Sequence, residues 1–299
     1  MSRLAAPPLD GVAGARANRR VMAGAFVVLW CTGYPAGLIA VQHAAPFTIL
    51  FLRFAFAAVI FAAMALVARA QRPGWREVGH HAVVGVLSLA VSFGGIYEAL
   101  RLGIGTGVAA LFIGALPLAT AALGLLLGER LRAVQWIGLA LGLAGVVLVL
   151  QGRFGGGAAD LDAYAAGTLS LFALAAGTHY QKRRATVADL RVGLAVQHAV
   201  AALALLPLAV FAEHFRIDAS VTFAGALAWL VLVNSIGGFA LLFALLRDGA
   251  ATDVATLFFL MPPITALMGW LVLGERLAPA MLPGFALVAF GVWLGTRAR

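Results

Sequence analysis

Of the 21 Lys and Arg residues in this chain of 299, Arg53 alone lies well inside a long apolar run, roughly seven residues in from Pro46. A guanidinium at membrane depth costs about 2.5–3.5 kcal/mol on insertion scales, so it faces a bundle interior or water. It can hold a carboxylate or another anion in bidentate fashion. It can equally tie helices together through backbone carbonyls, or snorkel to the interface. Trp30, Tyr34 and Tyr97 offer faces for apolar or cationic groups and polar edges that orient them; the same rings serve in packing or in an interfacial belt. Gln197, its neighbour His198, and Asn234 are uncharged polar groups in other apolar runs. They suit either a solute or interhelical hydrogen bonds. Trp30, Tyr34, Arg53, Tyr97, Gln197 and Asn234 form the candidate substrate-binding set. Pro117 and Pro263 each remove a backbone hydrogen bond within a helix, and they are the candidate hinges.

Catalysis is not expected. The acids are Asp10, Glu77, Glu98, Glu129, Asp160, Asp162, Asp189, Glu213, Asp218, Asp248, Asp253 and Glu275, and none is central to an apolar run. Proton pumps and antiporters commonly use a buried carboxylate as proton carrier, so this inventory favours a facilitator or exchanger. Paired Asp motifs, His-Glu-x-x-His and Gly-x-Ser-x-Gly are missing, and no Gly-Lys-Ser/Thr follows the glycine run 155–157. No catalytic residue, metal or cofactor is therefore assigned. Glu129-Arg130 and Glu275-Arg276 close apolar runs and are read as interfacial caps, with Glu98 and Arg101 as an i, i+3 pair.

The elements that must position these residues follow from composition. The chain is 63% hydrophobic and 11% charged, with a mean hydropathy of +1.00, against roughly 45–50% and about 25% for a soluble domain. That excludes an ordinary soluble protein, and disorder requires the opposite balance. The formal charge of +9 forms no basic stripe, so nucleic acid is not an expected partner. Its basic residues sit in short clusters between apolar runs, as in a protein embedded in a lipid bilayer. A single cysteine, Cys31, excludes an intramolecular disulfide. The apolar run after Arg19 and Arg20 is too long for a signal peptide and reads as a retained helix.

About 20 apolar residues span a bilayer, and ten runs qualify: 21–41, 46–68, 79–100, 104–127, 134–151, 162–181, 191–211, 222–246, 251–273 and 280–296. With the N-terminus cytoplasmic, that side collects sixteen of the basic residues and the other side four. The excess of Lys and Arg marks the cytoplasmic side, so both termini are expected there.

An internal repeat organises the runs. A shift of 146 lays Arg101, Gly103, Thr106, Phe112 and Pro117 over Arg247, Gly249, Thr252, Phe258 and Pro263. It also lays Gly128-Glu129-Arg130-Leu131 over Gly274-Glu275-Arg276-Leu277, Gly138 over Gly284, and Gly145 over Gly291. Earlier runs align at 144, with Gly33 over Gly177 and Arg53 over Gln197. Five spans is an odd number, so the second half must enter the membrane from the opposite side. That is the inverted-repeat plan of secondary transporters, with the solute near the midplane where the repeats meet.

These residues resemble the EamA-type transporters of the drug/metabolite transporter superfamily. Leu29-Trp30-Cys31-Thr32-Gly33-Tyr34 looks like that family's Trp-Gly/Ser-Ser/Thr-x-Phe opening, and Leu52-Arg53-Phe54 is similar to its Leu-Arg-Phe/Tyr signature. The Pro-containing spans that close in Gly-Glu-Arg-Leu look like its repeat ending. The resemblance covers about residues 21–297. It implies ten helices around a cavity lined mainly by the first, third and fourth helices of each half, and export or exchange of small metabolites. Cys31 departs from the family's usual small residue, and 173–177 lacks a Trp often found there.

The expectation is thus an all-α integral membrane protein with ten transmembrane helices as two inverted five-helix EamA repeats. A cytoplasmic tail (1–20) precedes the first repeat (21–151), a linker (152–161) and the second repeat (162–297). The function expected is a secondary transporter of the inner membrane, a monomer or homodimer, moving amino-acid-like or amphipathic solutes by alternating access, with export the favoured direction. The alternatives are an integral-membrane enzyme acting on a lipid-borne substrate and a channel or scaffold subunit.

Overall fold

A computed structural model describes residues 21–126, 128, 132–151, 159–184, 189–247, 260–275, 279 and 281–297. Helices account for nearly all of them, and the one β-bridge among the described residues pairs Ala44 with Ile217. In chain order the first repeat holds α1 (Val21–Val41), α2 (Pro46–Val67), α3 (Trp75–Arg101), α4 (Thr106–Leu126) and α5 (Ala133–Gln151). The second holds α6 (Ala159–Arg184), α7 (Leu190–Ala212), α8 (221–247), α9 (Met261–Leu273) and α10 (Met281–Arg297). Six of these, α1 to α4, α7 and α8, are long and apolar enough to cross a membrane, and α5, α9 and α10 carry shorter apolar stretches.

Local chemistry sets the helix ends. Pro46 opens α2, where its missing N–H is not needed. Helix α3 begins four residues before the expected position because the Glu77 carboxylate accepts from the Gly74 N–H at 2.9 Å. Asp189 and Ser220 cap α7 and α8 by accepting from Arg191 N and Phe223 N. Gly274, at φ 66°, ends α9 in the left-handed conformation that glycine adopts without strain. The start of α6 at Ala159 makes 159–161, expected as linker, helical. The N-terminal tail, the rest of that linker, Glu129, Arg130 and Arg276 lie outside the described residues.

Helices of equal rank in the two repeats pack on each other: α2 on α7, α4 on α9 and α5 on α10. Further contacts between the repeats join α1 to α8, α3 to α6 and α7, and α4 to α6. Each equal-rank pair runs antiparallel. Glu213, just past α7, meets Phe47 and Thr48 at the start of α2, and Glu275, just past α9, meets Thr106 at the start of α4. At the α5–α10 crossing a Cβ built on Gly145 would fall 2.7 Å from Gly284 O, and one built on Gly291 would fall 2.6 Å from Gly138 O. The two glycine pairs matched by the sequence repeat therefore form one reciprocal close contact, as a two-fold axis requires.

Candidate functional site

Arg53 projects from α2 into the interior and is 4% exposed. Its Nε donates to Ser235 Oγ at 3.0 Å, and one terminal nitrogen donates to the Tyr97 hydroxyl at 3.1 Å. The guanidinium lies over the Phe93 ring, 4.8 Å from its centroid. Tyr97 and Phe93 come from α3 and Ser235 from α8, so the cluster joins both repeats. No Asp or Glu among the described residues forms an ion pair with Arg53.

Both helices that meet Arg53 are locally unwound into wide π-helical turns, at Gly85–Val91 in α3 and Trp229–Gly237 in α8. Gly85 plus the repeat shift of 144 gives Trp229, so the distortion recurs at equivalent places. Such turns are rare and often accompany functional sites. Equivalent glycines face them. A Cβ on Gly33 would approach Asn234 Nδ2 to 2.9 Å, and one on Gly177 would collide with Ser88 Oγ.

The other candidates divide around this centre. The Tyr97 ring packs on α1, where a Cβ at Gly37 would sit 3.1 Å from its Cζ. Tyr34 is buried one turn before Gly37. Asn234, next to Ser235, donates to Leu29 O at 2.7 Å, beside an interruption of α1 at Thr32, and its buried Oδ1 meets no donor among the described residues. Trp30 lies farther along the same interface, edge-on to Phe239 with centroids 5.7 Å apart. A ladder of rings, Phe54, His198 and Phe239, links Arg53 to Trp30. Gln197 does not join Arg53; its Nε2 lies 2.8 Å from His81 Nδ1 and ties α7 to α3.

The proline positions differ from each other. Helix α4 is interrupted at Ala115, just before Pro117, and the Pro117 carbonyl accepts from Thr120 Oγ1 at 2.9 Å. Pro263 falls in the first turn of α9, which opens at Met261 after Leu260, and 248–259 lie outside the described residues.

At one end of the bundle two carboxylates cap helices of the opposite repeat. Glu213 accepts from Phe47 N (2.9 Å), Thr48 N (2.7 Å) and Thr48 Oγ1 (2.8 Å). Glu275 accepts from Thr106 N (3.0 Å) and Thr106 Oγ1 (2.8 Å). The interfacial reading of Glu275 as a cap thus has a named partner, and Glu98 and Arg101 form the expected ion pair. Ser235, Phe93 and the Glu213 clamp were not anticipated; the clamp's only sequence signal was an acid at the end of an apolar run.

The EamA-like transporter family matches residues 21–151 and again 163–297. The chain belongs to that family. The EamA chain is 26% identical over 278 residues to the Escherichia coli K12 protein named "Uncharacterized inner membrane transporter YedA", covering 92% of this chain and 89% of the relative. A Salmonella typhimurium protein named "Probable amino-acid metabolite efflux pump" is 27% identical, covering 91% and 94% of the two chains. The Bacillus subtilis "Uncharacterized transporter YdeK" is 30% identical, covering 89% and 90%. A solved crystal structure superposes with a TM-score of 0.65 at 20% identity, covering 95% of this chain and 98% of the other, which shows a shared fold. The protein is accordingly a membrane-embedded transporter of small molecules, built from two EamA repeats, and not an enzyme.

Proposed function

We propose that the protein is a ten-helix secondary carrier of the inner membrane, with both termini cytoplasmic, that exports amino-acid-like or amphipathic metabolites by alternating access. The domain limits are those of the repeats, 21–151 and 162–297, and the solute occupies the interface where Arg53, Tyr97, Tyr34, Asn234 and Trp30 are gathered. Gln197 contributes from the equivalent place in the second repeat through its His81 contact, and Pro117 and Pro263, equivalent in the sequence repeat though differently placed in their helices, are the proposed hinges.

The observation that carries this reading is the antiparallel packing of equal-rank helices about the Gly145–Gly291 crossing. Two halves so related can exchange conformations, and that exchange converts a site open to one face into a site open to the other. Export of amino-acid-like cargo is supported by the name of the Salmonella relative, a probable amino-acid metabolite efflux pump. Counterflow in proteoliposomes tests the proposal. An internal pool of the cargo amino acid should accelerate uptake of its labelled form. Absence of flux for every amino acid and small metabolite tried, with folded protein confirmed, or single-channel currents in place of saturable exchange, would refute it.

A further inference from the structure

Donors outnumber acceptors in the Arg53 cluster, and counting them points to the chemical group that would complete it. A guanidinium carries five N–H groups and no acceptor. Nε–H is satisfied by Ser235 and one N–H by Tyr97, so three N–H groups meet no acceptor among the described residues. Both hydroxyls spend an oxygen lone pair on Arg53, which leaves their own hydrogens to donate elsewhere. Neither has an acceptor among the described residues, although Tyr97 is 2% and Ser235 0% exposed. Buried donors are almost always paired. A cation with no carboxylate partner in so enclosed a site favours an anionic ligand.

We infer that Arg53, Tyr97 and Ser235 form an anion subsite whose ligand is the carboxylate of the transported solute. A carboxylate is acceptor-only, with two oxygens that match two in-plane guanidinium N–H groups. Arg53 Cζ lies over the Phe93 ring, 4.8 Å from its centroid, a cation–π contact that offers no oxygen acceptor to the remaining N–H groups. The two hydroxyls turn their hydrogens to the same oxygens. The bound carboxylate neutralises the only uncompensated charge in the cluster, so the solute needs no amino group to be held there. Because Arg53 and Tyr97 belong to the first repeat and Ser235 to the second, occupancy also adds a contact across the moving interface.

This inference rests on the carrier reading for the subsite's place on the transport path. Its test reads binding alone, so failure of either one is distinguishable from failure of the other. Purified full-length protein in detergent is melted with a panel of monocarboxylates from acetate to 3-phenylpropionate, each beside its primary amide, an uncharged near-isostere. At least one carboxylate should raise the melting temperature while its amide does not. Tyr97→Phe and Ser235→Ala should each weaken the Kd of that carboxylate about tenfold or more, the loss of one hydrogen bond to a charged group. Arg53→Gln should abolish the shift. If Arg53→Gln does not fold, the two hydroxyl variants decide. The assignment is overturned if no carboxylate in the panel shifts the melt, if an amide shifts it equally, or if both hydroxyl variants bind like the parent.

Discussion

Replacing Glu213 by alanine removes a carboxylate that holds the first turn of a helix in the other repeat. Three hydrogen bonds are lost at once, from Phe47 N, Thr48 N and Thr48 Oγ1, at 2.7–2.9 Å. A hydrogen bond to a charged acceptor is worth roughly 1.5–3 kcal/mol by mutation, and a helix N-cap about 0.5–2 kcal/mol. Glu213 is only half-buried, so water replaces much of what is lost. A total of about 2–3 kcal/mol remains after that discount. With an unfolding entropy near 2.1 cal/mol/K per residue, 299 residues convert this to a fall in Tm of about 3–5 °C. Glu213→Gln keeps one acceptor oxygen and should fall in between. A cysteine placed at Ala45 reports the same end of the bundle. The one native thiol, Cys31, is buried and gives a clean background. A membrane-impermeant maleimide should label Ala45→Cys faster once Glu213 is gone, because the carboxylate ties α7 to α2 there. A Tm within about 1 °C of the parent, together with unchanged labelling, would mean that the clamp bears no load, and the energetic reasoning would be wrong.

Two further predictions test packing and electrostatics. Gly291→Ala places a Cβ 2.5 Å from Gly142 N and Gly145→Ala places one 2.7 Å from Gly284 O; backbone cannot rotate aside, so each should cost about 1–3 kcal/mol. The two variants should melt lower by similar amounts, whereas Gly24→Ala, with nothing within 4 Å, should not; a Gly291→Ala melt indistinguishable from that control would contradict the reciprocal crossing. The Arg191 side chain holds the Asp189 carboxyl below the usual carboxylate range. A depressed folded pKa contributes stability above the unfolded value, about 3.9, and loses it as pH falls through the folded one. The Tm gap between the parent and Asp189→Asn should therefore be constant at neutral pH and close on acidification, and a gap that widened with acid would reverse the assigned sign.

Much of the architecture was legible because the physics that imposes it is periodic or costly. Apolar length marked the helices, six of them among the described residues long enough to cross a membrane, and the Gly138/Gly284 and Gly145/Gly291 matches are the points where α5 and α10 touch. Arg53 stood out because a charge is expensive at that depth, and it is buried at the interface of the two repeats. Its partners were less legible. Ser235 is one of many small polar residues, and nothing in its neighbours announces a π-helical turn that rotates it toward α2. The place of Gln197 over Arg53 suggested a shared role, yet the side chain at that position meets His81, because α7 packs on α3 there. The trans caps were invisible for a different reason. Glu213 and Thr48 are 165 residues apart, and only the packing of α2 on α7 brings them together.

The π-helical turns give the repeat a further meaning. Gly85–Val91 and Trp229–Gly237 occupy equivalent positions, yet the side chains they present are not equivalent. In α8 the turn supplies Ser235 to Arg53 and Asn234 to the backbone of α1. In α3 the equivalent turn lies against α7, where a Cβ on Gly85 would fall 2.5 Å from Gln197 O, and it sets Ser88 against Gly177 of α6. The likeness is partial, since α1 is interrupted at Thr32 while α6 runs unbroken over Ala159–Arg184, and a further π-helical turn, Leu208–Ala212, lies in α7 but not in α2. In the alternating-access carrier proposed above, the matching distortions of α3 and α8 would let the halves exchange shapes at similar energy, while a single charged subsite would keep the solute from being bound twice. A second arginine at Gln197 would place two cations in one apolar interior at a cost no single carboxylate could offset.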